Sequence, residues 1–272
     1  MTSLAPLESR AIVAVSGPEA APFLQGLVTN DVLALRDGQA GYAAFLTPQG
    51  KVLFDFLILA HNGEFLLDCA AGLADSLVKR LLLHRLRSKV TVERRSDLAV
   101  LAGWNGATPI PKSFADPRVA ELGWRAILPT TAIPPSGATE ERYTAHRLDC
   151  GVPEGAEFGQ DSVFALDADL DELHGVSFEK GCYVGQELTA RMKHRGTARR
   201  RILPVATSDG RALAAPDSPL LAGDHDIGTI LSTYGPRGFA LVRLDRLSGA
   251  NAEGVSAAGI AVRVSRPSWL SA

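Results

Sequence analysis

Cysteine is scarce in this chain, and its few cysteines lie far apart. There are three, Cys69, Cys150 and Cys182, and no two of them form a CxxC pair. This spacing argues against a disulfide framework and against a zinc site built from cysteine pairs. A reducing compartment accounts best for it.

Long hydrophobic runs are also absent. No apolar stretch approaches the roughly 18 residues that a membrane-spanning helix needs, and the opening MTSLAPLESR resembles neither a secretory signal nor an Arg-rich transit helix. The net charge is -2 and the pI is about 6.3, so no overall basic field indicates nucleic acid or membrane binding. We therefore expect a cytoplasmic protein with no membrane partner.

Aromatic residues make up only 6% of the chain and do not interleave with basic residues. Single-stranded nucleic acid is therefore not expected as the primary ligand, because such sites stack bases on aromatic rings. The remaining composition, 46% hydrophobic and 21% charged over 272 residues, predicts a globular protein of two or three compact units.

Reactive side chains concentrate in the stretch FEKGCYVGQELTARMKHRG, residues 178–196. Gly181 and Gly185 bracket Cys182, which predicts a tight loop, and the residues after Gly185 predict a short helix. Cys182 then lies near a helix N-terminus and two residues after Lys180, and both features favour thiolate over thiol. Cys182 is a candidate reactive or ligand-binding sulfur; the alternative is a buried cysteine that serves packing.

Alternation and helical periodicity predict a succession of short elements. The predicted strands are residues 11–15, 42–47, 52–60, 64–69, 90–93 and 98–102, and the predicted helices are residues 16–27, 72–87, 139–150 and 186–194. Residues 105–137 are rich in proline and glycine, so little regular structure is expected there. Four later β-like runs, 202–205, 228–232, 239–244 and 260–264, predict a C-terminal barrel or sandwich.

Charged residues form local groups. Helix 72–87 is expected to turn Leu73, Leu77, Leu81 and Leu82 inward and to carry an outer pair, Asp75 and Lys79. A basic group follows, which we interpret as a solvated face: Arg85, Arg87, Lys89, Arg94 and Arg95. The acidic residues between Asp161 and Glu172 are expected to offset the cations of the 178–196 stretch.

Asp55 stands out in the second strand of the hairpin predicted around residues 48–51, VLFDFLILA. A carboxylate in an otherwise apolar strand must face water, find a partner or serve a function. Both a pocket residue and the polar member of a half-exposed strand remain open as interpretations.

The eight residues KGCYVGQE, Lys180 to Glu187, resemble the signature of the YgfZ family, the folate-binding relatives of the glycine-cleavage T-protein that are implicated in iron-sulfur cluster maintenance and tRNA modification. The resemblance extends to neighbouring residues on both sides and, more weakly, to most of the chain. It implies an α+β, T-protein-like fold with a central channel for tetrahydrofolate or a derivative. Residues 1–47 and 105–196 would form one discontinuous domain, 48–104 an inserted ferredoxin-like unit, and 197–272 a C-terminal β-barrel.

The resemblance also implies roles for single residues. Tyr183 is expected to stack on the pterin, Gln186 and Glu187 to pair with its polar edge, and Arg191 to hold the glutamate tail, with Lys193 and Arg195 as further cations. Lys180 is included among the folate-binding candidates.

Three more folate-binding candidates come from elsewhere in the chain. Asn30 lies in a VTNDV segment that is near the ligand in relatives, although a helix C-cap is an equal alternative. Arg147 lies in RLDCGVP, which resembles an element beside the folate cavity, although a helix-surface salt bridge is equally consistent. Asp55 aligns with the folate-facing acids of the T-protein pattern GG-x-x-DD, but Phe54 occupies the other acidic position.

The resemblance therefore implies a tetrahydrofolate-binding accessory factor for iron-sulfur proteins, including tRNA-thiolating enzymes, that acts through Cys182. Its expected partners are iron-sulfur proteins or their assembly factors. Whether it is an enzyme stays open, because one acid of the aminomethyltransferase pattern is missing. Two alternatives remain: a true aminomethyltransferase, and a non-enzymatic module that binds protein or RNA, the latter through weak contacts of Arg191 to Arg201.

Overall fold

The structure, a computed structural model, describes residues 2–108, 110–196, 199–247 and 254–271. The strands are β1 Ser3–Pro6, β2 Arg10–Ser16, β3 Ala40–Leu46, β4 Val52–His61, β5 Glu64–Ala70, β6 Thr91–Arg95, β7 Leu98–Trp104, β8 Phe114–Ala115, β9 Trp124–Pro129, β10 Arg200–Thr207, β11 Pro219–Ala222, β12 His225–Tyr234, β13 Arg237–Arg243, β14 Val255–Ala257 and β15 Ile260–Val264. The α-helices are α1 Ala20–Gln25, α2 Ala74–Arg85, α3 Glu140–Cys150, α4 Gly155–Phe158, α5 Gln186–Arg195 and α6 Leu244–Leu247.

These strands form three sheets. One has five strands in the order β3-β4-β5-β2-β6, one has four in the order β1-β7-β9-β8, and the third is a closed barrel in the order β10-β13-β12-β11-β14-β15. The sequence predicted either a barrel or a sandwich at the C-terminus. Because the third sheet is closed, it is a barrel. The barrel begins at Arg200, and residues 197–198 and 248–253 of the predicted barrel unit lie outside the described residues.

The five-stranded sheet has two buried faces, because side chains alternate along each strand. One face packs against α1 and α2 through residues such as Phe54, Phe56 and Ile58. The other face, which carries Leu57 and Leu59, packs toward α3 and the four-stranded sheet. Asp55 lies two residues before Leu57 on β4 and therefore on the same face of the sheet. The acid that the sequence singled out thus points into the layer between the sheets.

The five-stranded sheet crosses the boundary expected between residues 47 and 48. β3 lies before that boundary and pairs with β4 after it, and β2 pairs with both β5 and β6. The predicted boundary falls in the hairpin turn, and a hairpin turn joins strands of one sheet. Residues 48–95 therefore share a sheet with residues 10–46, while the division into functional domains stays a prediction.

Some predicted elements differ from the structure. The Pro- and Gly-rich segment contains β9, which pairs with β7, and a side chain at Gly103 would collide with the Trp124 ring.

Leu77 and Leu81 of α2 are buried as expected, but Leu82 is exposed. The expected Asp75–Lys79 pair does not form, because Asp75 faces Arg94 of β6 instead. The described residues contain no helix long and apolar enough to cross a membrane.

An interior ion network joins the five-stranded and four-stranded sheets. It consists of Arg10, Asp68, Asp116, Arg118, Arg125, Arg147, Glu154 and Glu157. Asp68 on β5 accepts hydrogen bonds from Arg10 Nε at 2.6 Å and from Arg125 on β9. Burial opposes ionisation of Glu154, but its arginine neighbours hold the pKa of this carboxyl well below its usual range. The pairing keeps these buried groups charged and fixes one sheet against the other.

We expect Asp68→Asn to destabilise the protein by about 3–5 kcal/mol, because it leaves two buried guanidinium groups without their shared carboxylate. The matched control is Asp75→Asn, which breaks an exposed pair with Arg94 and is expected to cost no more than about 1 kcal/mol. Urea denaturation gives both values. Equal losses in the two variants would show that the network contributes no more than a surface pair.

Candidate functional site

Cys182 lies on the predicted loop, and its side chain is exposed. Gly181 and Gly185 adopt φ angles of 93° and 83°, a left-handed region that favours glycine. Helix α5 begins directly after Gly185. The loop and the following helix are therefore confirmed, and the alternative of a buried packing cysteine is wrong for Cys182.

The base of this loop is held by buried polar contacts. Lys180 Nζ donates to the carbonyl oxygens of Gln25 at 2.7 Å and Val28 at 2.5 Å, and lies 5.1 Å from the centre of the Tyr183 ring. Burial lowers the pKa of Lys180 to about 8, against the attraction of Asp31. Lys180 was expected to favour a thiolate at Cys182. Its ammonium group instead donates hydrogen bonds to backbone carbonyls at the end of α1 and just after it.

Tyr183 and Gly185 complete the anchor. Tyr183 is buried, its hydroxyl contacts Thr189, and burial raises its pKa to about 12. A side chain at Gly185 would collide with the Thr47 carbonyl in the turn after β3, so only glycine allows this approach. The sulfur is therefore exposed on a loop whose base is docked against the β3–β4 hairpin.

The other two cysteines have different surroundings. Cys69 is buried on β5, and burial raises the pKa of its thiol to about 12. Cys150 is half-buried at the end of α3, where burial raises its pKa to about 11. Of the three cysteines, Cys182 is the exposed one and therefore the most accessible to a partner molecule.

A cavity of about 580 Å³ lies where β2, α3, α4 and the barrel meet. Its lining includes Arg10, Tyr143, Arg147, Glu154, Tyr234 and Arg237. Only Arg147 in this set was a candidate from the sequence. Arg10 and Tyr234 were missed because they come from the first strand of one sheet and a strand of the barrel, and no local pattern relates two such distant segments.

Arg147 is buried rather than on a helix surface. Its Nη2 donates to Glu157 Oε1 at 2.8 Å, and its Nη1 donates to the Val152 carbonyl at 2.7 Å. The Tyr234 hydroxyl donates to the same Glu157 oxygen at 2.8 Å. The surface salt bridge is therefore wrong as an interpretation: Arg147 belongs to the interior ion network and forms one wall of the cavity.

Asp55 is buried just behind this wall. The Tyr42 hydroxyl donates to its Oδ2 at 3.1 Å, and a side chain at Gly155, which lines the cavity, would collide with its carboxylate. Burial, with the nearby Glu154 charge, raises the pKa of Asp55, although Arg10 and Arg118 oppose the shift. The half-exposed strand position is therefore wrong, since Asp55 is buried.

Asn30 joins separate segments of the chain. Its Nδ2 donates to the carbonyls of Tyr42 at 2.7 Å and His174 at 2.8 Å, and its Oδ1 accepts from the Asp31 amide at 2.8 Å. Both amide hydrogens are thus used within the protein, and Asn30 does not line the cavity.

The structure separates the predicted folate-binding residues into two places. Arg147 lines the cavity, whereas the candidates of the 178–196 stretch do not: Lys180, Tyr183, Gln186, Glu187 and Arg191. Glu187 and Arg191 are exposed on α5, and Arg191 borders a different cleft with Leu188 and Arg243. The reason is that the loop packs on the hairpin turn and does not reach the α3–α4 cavity wall.

Acidic side chains neutralise part of the basic stretch 191–201, but of the cations they pair with only Lys193 lies among residues 178–196, where the pairing was expected. Arg200 pairs with Asp167 at 2.7 Å, and Asp171 pairs with Arg201 at 2.9 Å and with Lys193 at 3.3 Å. Residues 197–198 of the stretch lie outside the described part of the chain. Fewer cations of this stretch are therefore available to contact RNA than the sequence alone suggests.

Two domain families match the chain. The GCVT N-terminal domain matches residues 5–106, and the CAF17 C-terminal β-barrel domain matches residues 199–272. The glycine cleavage system aminomethyltransferase T from Bartonella henselae has a similar structure, with a TM-score of 0.74 and 19% identity, covering 99% of this chain and 86% of that one. The predicted T-protein-like fold is confirmed.

Curated relatives give a more specific placement than the YgfZ resemblance. The human mitochondrial iron-sulfur cluster assembly factor IBA57 is 34% identical over 97% of this chain and 84% of its own length. Its mitochondrial homologue from Mycosarcoma maydis is 36% identical over 91% of this chain and 66% of its own length. The expected cytoplasmic location is wrong, because these relatives are named as mitochondrial proteins. This chain belongs to the IBA57 family, to which the bacterial YgfZ family is related.

Proposed function

We propose that this protein assists the assembly or maintenance of iron-sulfur proteins, including tRNA-thiolating enzymes, and that Cys182 is the residue through which it acts. The observation that carries the proposal is the exposure of Cys182 on a loop anchored by Lys180, Tyr183 and Gly185. The names of the relatives supply the iron-sulfur context.

The chemistry of clusters explains why one thiol needs a partner. Iron-sulfur clusters are commonly held by four thiolate ligands, and the described residues contain no group of three or more side chains that could hold a metal ion. Cys182 therefore supplies one ligand, and the partner supplies the others. The cluster is cargo shared with an assembly factor or client. The exposed residues of α5, Glu187 and Arg191 among them, then contact that partner.

Tetrahydrofolate is the small molecule that we propose for the cavity of about 580 Å³. The volume is within the usual range for small-molecule sites, and the T-protein-like fold supports the same class. The residues of the wall fit the ligand: Glu141 offers a carboxylate to pterin N–H groups and Tyr234 an aromatic ring. Arg237 offers a cation for the glutamate tail; it pairs with the exposed Asp149, and the ligand carboxylate would share or replace that partner. The bound ligand would supply its one-carbon chemistry, while these side chains orient it.

The two alternative functions are less well supported. Aminomethyl transfer needs a folate-facing acid, but Asp55 is buried behind Gly155. An RNA-binding module that uses Arg191 to Arg201 needs free cations in that segment, but Arg200, Arg201 and Lys193 already pair with acids. Both observations favour an accessory role centred on Cys182.

Thiol labelling of the folded protein with a maleimide is expected to modify Cys182 first, because it is the exposed cysteine. Cys150 should react more slowly and Cys69 last, since both are less accessible and have raised pKa values. Peptide mapping of the modified protein after increasing reaction times measures the order. Modification of Cys150 or Cys69 before Cys182 would contradict the exposure of Cys182 on its loop.

The decisive test of the function is rescue of cells depleted of the protein, with the activities of several iron-sulfur enzymes as readout. The parent and Cys150→Ser are expected to restore these activities, and Cys182→Ser is expected to fail while still folding. Full rescue by Cys182→Ser would show that the Cys182 sulfur is not needed for the function and would contradict the proposal.

Folate binding is tested separately with 5-formyltetrahydrofolate, a stable derivative. Arg237→Ala is expected to weaken its affinity by about tenfold, the usual consequence of losing a hydrogen bond to a charged group. Arg191→Ala, outside the cavity, is the matched control and should bind as the parent does. The reverse pattern in calorimetric titrations would place the ligand beside α5.

A further inference from the structure

The C-terminal end of α2 exposes three leucines within five residues. Leu82, Leu83 and Leu86 are 39%, 71% and 87% exposed. Among the described residues, the other large hydrophobic side chains with comparable exposure are Leu33 and Phe178, which lie elsewhere in the chain. Large apolar side chains grouped at one exposed point typically mark an interaction site.

Unpaired cations surround these leucines. The exposed basic residues of the same segment are Lys79, Arg80, Arg85, Arg87 and Lys89. Within the described ranges, no acidic side chain lies at salt-bridge distance from any of them: Asp75 faces Arg94, and Glu19 accepts from the Lys89 backbone amide. We name these five cations and three leucines the leucine-cation surface. Its charges differ from those of Arg200 and Arg201, which acids neutralise.

Leu86 is in an unfavourable position for its type. It terminates α2 with φ of 44° and ψ of -108°, a left-handed φ that favours glycine. A β-carbon costs energy in this region, and a side chain that is 87% exposed gains almost no packing inside the protein. Neither backbone conformation nor burial within the chain favours a leucine here.

We propose that the leucine-cation surface binds the interface of an anionic phospholipid membrane. The leucines would enter the boundary between headgroups and acyl chains, and the surrounding cations would lie among the lipid phosphates. Charge complementarity favours this occupant, because exposed leucines among five exposed cations match a surface that is apolar beneath an anionic layer. Of these cations, Arg85, Arg87 and Lys89 were interpreted from sequence as part of a solvated face, and no membrane partner was expected. The exposure of the neighbouring leucines, which the sequence did not predict, is the reason for the different proposal.

The experiment uses the full-length protein and sedimentation with vesicles. One set contains two parts phosphatidylcholine to one part phosphatidylglycerol, and the other contains phosphatidylcholine alone. The protein should bind the anionic vesicles and not the zwitterionic ones. Raising the salt concentration should weaken the binding, because counterions screen charges at the membrane surface.

Leu86→Gly separates binding from folding. Glycine is favoured at this φ, so thermal stability should stay equal or rise, while affinity for the anionic vesicles should fall by about tenfold through the loss of one inserted leucine. Leu33→Ser removes a leucine that is 61% exposed in the segment between α1 and β3, and it should leave vesicle binding unchanged.

Three results would overturn the proposal. One is the absence of binding to anionic vesicles at low salt, which would leave an acidic protein as the occupant of this surface. Another is binding of Leu86→Gly at the parent affinity. The third is an equal loss of binding in Leu33→Ser, which would show that the leucines of α2 are not special.

Discussion

The sharing of Asp68 between Arg10 and Arg125 is the interaction on which the rest of the structure depends. These charges lie between two sheets, where an unpaired ion would be costly, so each carboxylate and guanidinium must find its partner. The same network continues through Glu154 to Arg147, and Arg10, Arg147 and Glu154 line the cavity. The same ion network therefore holds the two sheets together and makes the cavity wall polar.

The β3–β4 hairpin links the cavity to the Cys182 loop. Its turn holds the loop through the close approach of Gly185 to Thr47. Farther along the same hairpin, Asp55 accepts a hydrogen bond from Tyr42 and lies against Gly155 at the cavity wall. The cavity and the exposed thiol thus lie at separate places along one hairpin. This separation favours the proposed accessory role, because a ligand in the cavity would not have to reach the sulfur.

Local patterns in the sequence predicted the structural features that depend on residues close together in the chain. The glycines around Cys182 indicated the loop, Gly151 the end of α3, and alternation the barrel strands. The patterns failed where contacts are distant in sequence. Nothing near Asp68 indicates that Arg125 will reach it from another sheet, and nothing near Lys180 indicates that the carbonyls of α1 will take its hydrogen bonds. The folate-binding candidates were separated for the same reason: the KGCYVGQE segment is continuous in sequence, but the cavity is built from four distant segments.

The absence of a second acid next to Asp55 also follows from the fold. Adjacent residues of a strand point to opposite faces of the sheet, so the position of Phe54 faces α1 and α2 while Asp55 faces the ion network. Phe54 lies there with its ring centre 6.4 Å from that of Phe45, in an apolar core where a carboxylate would have no partner. A paired-acid arrangement on one face is therefore incompatible with this strand. The remaining acid, Asp55, has its carboxylate against Gly155, so the acid that matches the T-protein pattern lies behind the wall of the cavity and does not line it.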